Sequence, residues 1–111
     1  MPEIVLVTTT VDSKEQAARI AHTIVRERLA ACAQLQGPIE SRYWWNDEIA
    51  NSVEWYCHFK APKALAERLR ERVVQLHSYE VPEVIVIPVV DGHHPYLQWV
   101  AAETIAKSTK V

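Results

Sequence analysis

Two runs of about thirteen residues each meet at Asn46-Asp47, and both read as β-strand. The first begins over Ala31 to Leu35, is interrupted at Gly37-Pro38 and resumes from Ile39 to Trp45; the second returns from Glu48 to Lys60. In the returning run Val53, Trp55, Cys57 and Phe59 alternate with Glu54, Tyr56, His58 and Lys60, which puts the two sets on opposite faces of a strand. At roughly 3.3 Å per residue each arm reaches ~43 Å. A compact domain of this length is about 35 Å across, and a crossover helix of about 15 residues covers only roughly 22 Å. The hairpin therefore has to outrun its own domain. Its far end carries Tyr43, Trp44, Trp45, Ile49, Val53 and Trp55. An exposed aromatic edge of that kind associates unless something covers it. A closed homo-oligomer with each hairpin lying against a neighbouring copy is the expected solution. The alternative is a hairpin bent back at Gly37-Pro38 onto its own sheet.

The rest of the chain supplies the body. Glu3 to Thr10 is β-branched and almost continuously apolar, as in a covered strand. Asp12, Ser13 and Glu15 read as a helix start, with Asp12 and Glu15 at capping-box spacing. Ala17, Ile20, Ala21, Ile24, Val25 and Leu29 then recur at helical spacing. Pro62 suits the first turn of a second helix, whose buried stripe is Leu65, Leu69, Val73 and Leu76. His77 to Pro82 is a loop. Glu83 to Val90 is a last apolar strand, placed at a sheet edge by Pro88. After a turn at Asp91-Gly92, Pro95 opens a final helix carrying Leu97, Val100, Ala101 and Ile105. The order β-α-β-β-α-β plus a C-terminal helix is the split βαβ pattern. It predicts one domain over residues 1–111, an α/β (α+β) sandwich in which helices cover one face of a four-stranded antiparallel sheet.

Composition removes several functions. The 111 residues include only two glycines, Gly37 and Gly92, so neither a dinucleotide-binding nor a nucleoside-triphosphate glycine loop can be written. The formal net charge is −2, and the densest basic stretch, Arg68 to Arg72, is broken by Leu69 and Glu71, so it reads as a solvated helix side and not a nucleic-acid footprint. The longest apolar run, Val84 to Val90, is too short for a bilayer. With no signal-like N-terminal stretch the expected location is cytoplasmic. Two cysteines outside any C-x-x-C spacing, Cys32 and Cys57, read as reduced, packed thiols.

Leu29-Ala-Ala-Cys32, Ser41-Arg-Tyr-Trp-Trp45, Glu54 with Lys60, His77-Ser-Tyr-Glu-Val-Pro82 and Tyr96-Leu-Gln-Trp99 stand in the order and spacing of the CutA family, the divalent-cation tolerance proteins. The sequence resembles that family over essentially its whole length. The resemblance implies a ferredoxin-like homotrimer, with long hairpins wrapping between subunits and an architecture like that of the PII signalling proteins. Three positions depart from the family pattern: Ser78 where Pro is usual, Asp47 where the hairpin turn has Gly, and Ala61 where Thr follows the lysine. The missing turn glycine suggests a different turn type, although Asn and Asp tolerate left-handed backbone.

The resemblance also raises metal binding, which needs thiolate or imidazole groups that converge. Where some relatives carry a cysteine and a His-His pair, this chain has Thr8, Leu76 and His77. His77 is therefore the one metal-ligating candidate. His93-His94 reads as an adventitious surface pair, and a tight turn at 46–47 would set Cys32 opposite a residue near 61, away from Cys57. A second constellation is polar and aromatic: Tyr43, Trp45, Glu54, Lys60, His77, Tyr79, Glu80 and Trp99. These types line small-molecule pockets and would meet at an intersubunit cleft. They equally serve as interface packing, with Glu54 and Lys60 paired across subunits. Cys57 and His58 point to opposite faces of one strand and form no nucleophilic couple. The expected function is a non-catalytic trimeric scaffold linked to divalent-cation tolerance. It requires no cofactor, with Cu(II) or another divalent cation as a possible ligand and no nucleic-acid or membrane partner. A PII-like sensor of a small anionic metabolite is the alternative.

Overall fold

A computed structural model describes residues 2–105. Strand β1 (Ile4–Val11) leads into helix α1 (Lys14–Arg26); the hairpin is β2 (Cys32–Trp45) and β3 (Glu48–Pro62). A 3-10 turn over Lys63–Leu65 precedes α2 (Ala66–Leu76), followed by β4 (Val84–Pro88) and α3 (His94–Ala102). The four strands form one antiparallel sheet in the order β2-β3-β1-β4. The predicted element order holds throughout, and Pro88 does lie in an edge strand.

Register explains the faces. Thr9 stands opposite Cys57 and Val84, and Val7 opposite Phe59 and Val86. Val7, Cys57 and Phe59, with Val5 and Val11, meet Ala17, Ile20, Ile24, Leu69 and Val73 from α1 and α2 in one buried core. Phe59, Ile20, Ile24 and Leu69 are its largest fully buried side chains. Complete burial of such groups contributes roughly 1.5–3 kcal/mol each.

The ends of α1 differ from the expected ones. Ser13, not Asp12, is the N-cap, because its Oγ accepts the Gln16 amide at 3.1 Å. The helix stops at Arg26 and does not run to Leu29, since Arg28 takes a left-handed φ of 59°. The Leu29 amide then donates to the Ile24 carbonyl and the Arg28 amide to that of Val25, closing a Schellman motif at a residue with no glycine. Across the helix pair, Glu27 accepts two hydrogen bonds from the Arg72 guanidinium, at 2.7 and 2.9 Å.

Only two of the three helices cover that face. Leu97 and Val100 of α3 form a separate buried cluster with Ile4, which alternates with Val5 and so points to the opposite side of β1. The expectation of all helices on one face is thus corrected: α3 closes one end of the other face. The last strand is also shorter than the predicted 83–90. It is less covered too, with Ile85, Val86 and Ile87 each exposed.

The hairpin projects. The molecule measures 51 × 25 × 21 Å, and the cross-strand pairing continues from Cys32 opposite Lys60 out to Trp45 opposite Glu48. Trp44 and Trp45 are 73% and 61% exposed, so the chain does not fold back over its own tip. Asn46 and Asp47 both have positive φ, 49° and 62°, the two-residue I′ pattern that Asn-Gly also forms; no different turn type is needed.

Pairing slips between Gln36 and Ile39, around a cis Gly37-Pro38 bond. The reason for glycine there is a close approach. A Cβ on Gly37 would lie 2.3 Å from Cδ1 of Trp55, an indole that packs against the main core. Gly37→Ala is expected to destabilise the fold by about 1–3 kcal/mol, the usual cost of overpacking. Urea denaturation with an unchanged m-value checks this, and an unshifted midpoint would refute it.

Candidate functional site

The face of the sheet away from α1 and α2 carries the alternate residues of β3: Glu54, Tyr56, His58 and Lys60. Glu54 lies beyond the last pair of β1 with β3, where the hairpin leaves the body. It is nevertheless buried, because Tyr79, from the loop after α2, reaches over it and donates its O–H to Oε2 at 2.8 Å. Burial first, and then the bond to the carboxylate, push the Tyr79 phenol well above its ordinary value. This pair sits in a cleft of about 890 Å³ between the hairpin and the loop. Tyr43, Trp44, Trp45, Tyr56 and Tyr79 supply its rings; Glu40, Glu54, Glu80 and Glu83 supply carboxylates against one cation, Arg42.

Five of the eight residues anticipated for a cleft therefore share this one: Tyr43, Trp45, Glu54, Tyr79 and Glu80. The other three are placed elsewhere. Lys60 is six residues from Glu54 along one strand, roughly 20 Å away, and its ammonium donates to Gln34. Trp99 is on α3, half-exposed and stacked on Tyr96 with ring centres 5.7 Å apart. His77 lies behind the cleft, its ring 4.9 Å from that of Tyr79.

His77 has no free nitrogen. Its Nε2 is 2.8 Å from the Thr10 carbonyl, which can only accept, so Nε2 carries the proton. Its Nδ1 accepts the Tyr79 amide at 3.1 Å. The imidazole is thereby fixed as a neutral clip between β1 and the Tyr79 loop. Burial lowers its pKa, partly opposed by the Thr10 bond and by the charges of Asp12 and Glu54. No lone pair is left for a metal, so the assignment of His77 as a ligand does not fit this arrangement. Among the described residues no three His, Cys, Asp or Glu side chains gather to hold an ion.

His58 is held in the same way. Nδ1 meets the Thr8 hydroxyl at 3.0 Å and Nε2 meets Gln36 Oε1 at 2.9 Å, and burial followed by the Lys60 charge lowers its pKa. Cys32 is opposite Lys60, one position from the expected 61, and its Sγ is 3.4 Å from the Tyr96 hydroxyl. Cys57 is fully buried, donates to the Ala17 carbonyl at 3.4 Å, and has its thiol pushed up to about 11 by burial. Eight lining residues fall outside the anticipated set, among them Thr10, Glu40, Arg42, Tyr56 and Glu83. Tyr56 had a signal, since it shares a face with Glu54; Glu83 had none, because its approach depends on where the loop crosses.

Known proteins resemble this chain in sequence and in fold. The family described as CutA1 divalent ion tolerance protein matches residues 5–103. The divalent-cation tolerance protein CutA of Thermus thermophilus is 38% identical over 104 residues, covering 94% of this chain and 99% of the relative. Protein CutA 1, chloroplastic, of Oryza sativa is 39% identical over 104 residues, 94% of this chain, which spans 58% of the rice protein's length. The crystal structure of CutA1 from Oryza sativa superposes with a TM-score of 0.90 at 37% identity, covering 93% of this chain and 94% of that one.

The two clipped imidazoles set an acid limit. Each has a folded-state pKa below its free value, so the unfolded chain takes up the proton first. Their stabilising effect is complete above about pH 6.5 and is lost as the pH falls through and below that value. Thermal melts across this range should show stability dropping with acid, and His77→Gln should flatten the slope. An unchanged slope in that variant would contradict the clip.

Proposed function

Because the chain belongs to the CutA1 divalent ion tolerance family, we propose that it acts as a homotrimeric, non-catalytic binding or signalling scaffold in tolerance of divalent cations, copper included. The observation that carries the trimer is the uncovered hairpin end. Trp44, Trp45, Ile49 and Val53 stand in water beyond the reach of the helices, and the apolar edge strand β4 is open as well. Placing each hairpin against a neighbouring copy buries both surfaces in a closed ring. The cleft beside Glu54 and Tyr79 then lies where subunits meet, which suits a ligand that reports on assembly.

The non-catalytic reading rests on the occupied groups. Both nitrogens of His77 are bonded within the chain, and the Cys57 thiol is sealed in the core with a raised pKa. The same clip argues against a resident copper at His77. The link to cations comes from the relatives' names, and it is assigned here to the scaffold's response, not to a fixed metal. Four carboxylates against one guanidinium in the cleft disfavour the reading as an anionic-metabolite sensor. A cytoplasmic location goes with the proposal, supported by two unpaired thiols that suit a reducing compartment.

Sedimentation equilibrium is expected to give three times the 12.7 kDa chain mass, and Trp44→Ser with Trp45→Ser should shift the species toward monomer. A wild-type monomer would defeat the trimer. In calorimetry, Cu(II) and Zn(II) should titrate identically into wild type and His77→Ala; a site lost only in the variant would restore His77 as a ligand.

A further inference from the structure

We infer that a second copy of the chain completes the cleft: in the trimer, Glu54 of one subunit takes its counter-charge from Lys60 of the next. The inference rests on the trimeric reading above and names the contact that joins one hairpin to the neighbouring sheet.

Glu54 and Lys60 are opposite charges that one chain keeps apart. Both belong to the alternate set of β3 that faces away from α1 and α2. Glu54 is only 7% exposed, and among the described residues its one hydrogen bond comes from a neutral group, the Tyr79 O–H, to Oε2. Lys60 forms no ion pair among the described residues. Its ammonium donates to the neutral Gln34 amide oxygen, which uses one of its three N–H groups. The residues opposite it in register, Leu6 and Cys32, bring no carboxylate. Six residues of strand, roughly 20 Å, separate the two charges, so they do not meet within one chain. No other described cation stands free on that face. Arg42 pairs with Glu40 at 3.7 Å, and the remaining basic side chains are carried by α1, α2 or the residues at their ends. A carboxylate taken out of water without a cation is costly, and such groups are ordinarily paired.

The sheet face that carries both charges is the one a second copy would cover. Helix α3 closes only its end, where Leu97 and Val100 meet Ile4. Ile85 and Ile87, opposite Thr8 and Leu6, stand exposed on the same face. Glu54 lies just beyond the last pairing of β1 with β3, where the hairpin leaves its own body. A hairpin laid against a neighbour enters the neighbour's body from that point. Two such faces turned toward each other bring Glu54 of one subunit to Lys60 of the next. In a closed ring every chain gives one carboxylate and receives one ammonium, so no charge is left over. A small bound cation would answer Glu54 and leave Lys60 unpaired, and a bound anion would do the reverse. A second copy answers both.

The test follows trimer dissociation by sedimentation velocity across a urea series in wild type, Glu54→Gln, Lys60→Gln and the double variant. Each single change strands one buried charge and should move dissociation to lower urea. The double variant strands neither, so its shift should be no greater than the larger of the two single shifts. Residues roughly 20 Å apart that share no contact would add instead. A second measurement uses the wild type alone. A carbodiimide, which joins a carboxylate to an amine in contact with it, is applied to trimers reassembled from isotope-labelled and unlabelled chains. A Glu54–Lys60 crosslink between a labelled and an unlabelled peptide is expected. The inference is overturned by a Lys60→Gln variant that dissociates like wild type, by a double shift equal to the sum of the single ones, or by Lys60 crosslinked elsewhere and not to Glu54. A wild-type monomer defeats the trimeric scaffold and the pair with it, whereas a trimer in which the two substitutions act independently defeats the pair alone.

Discussion

Strand length against helix length governs this molecule. Strands β2 and β3 have 14 and 15 residues, while α1 and α2 have 13 and 11. A strand advances more than twice as far per residue as a helix. Two helices therefore cover the body of the sheet and leave the outer hairpin bare. The buried set Val7, Cys57, Phe59, Ile20 and Leu69 marks where cover exists; Val53, Ile49 and Trp44 mark where it ends. Both the exposed apolar end of the hairpin and the position of the cleft follow from that boundary.

At the boundary the chain changes chemistry. Inside it, Trp55 lies over Gly37 and fixes the place where the hairpin bends. Just across the strand from that core contact, Glu54 turns to the other face and is roofed by Tyr79. The roof is held by His77, whose ring joins the Thr10 carbonyl on β1 to the Tyr79 amide. A residue first suspected of binding metal thus positions the loop that closes over the carboxylate. The hydrogen bonds of a neutral imidazole account for it completely.

Much of the fold was legible because it depends on local patterns. Apolar spacing located α1 and α2, alternation located β3, and Asn46-Asp47 located the turn whose left-handed geometry those residues tolerate. Pro88 signalled an edge strand, and Gly37-Pro38 signalled the slip in register. Apart from the local helix cap, what was misread depends on contacts between distant segments. The cap passed from Asp12 to Ser13 because the Ser13 hydroxyl meets the Gln16 amide. Helix α3 left the common face because Ile4, not Val5, is its partner. Lys60 and Trp99 fell outside the cleft because strand rise separates the first from Glu54 and α3 carries the second to the other end of the sheet.

The sequence by itself determined the elements, their order, the long hairpin and the aromatic load at its end, since each is encoded in the spacing of neighbouring residues. Only the tertiary structure decided which polar groups meet. Glu54 and Tyr79 are 25 positions apart, and His77 and Thr10 are 67 apart. No periodicity relates residues so separated; their meeting is set by how the loop after α2 crosses the sheet. Chain order supplied the candidates, and packing chose among them.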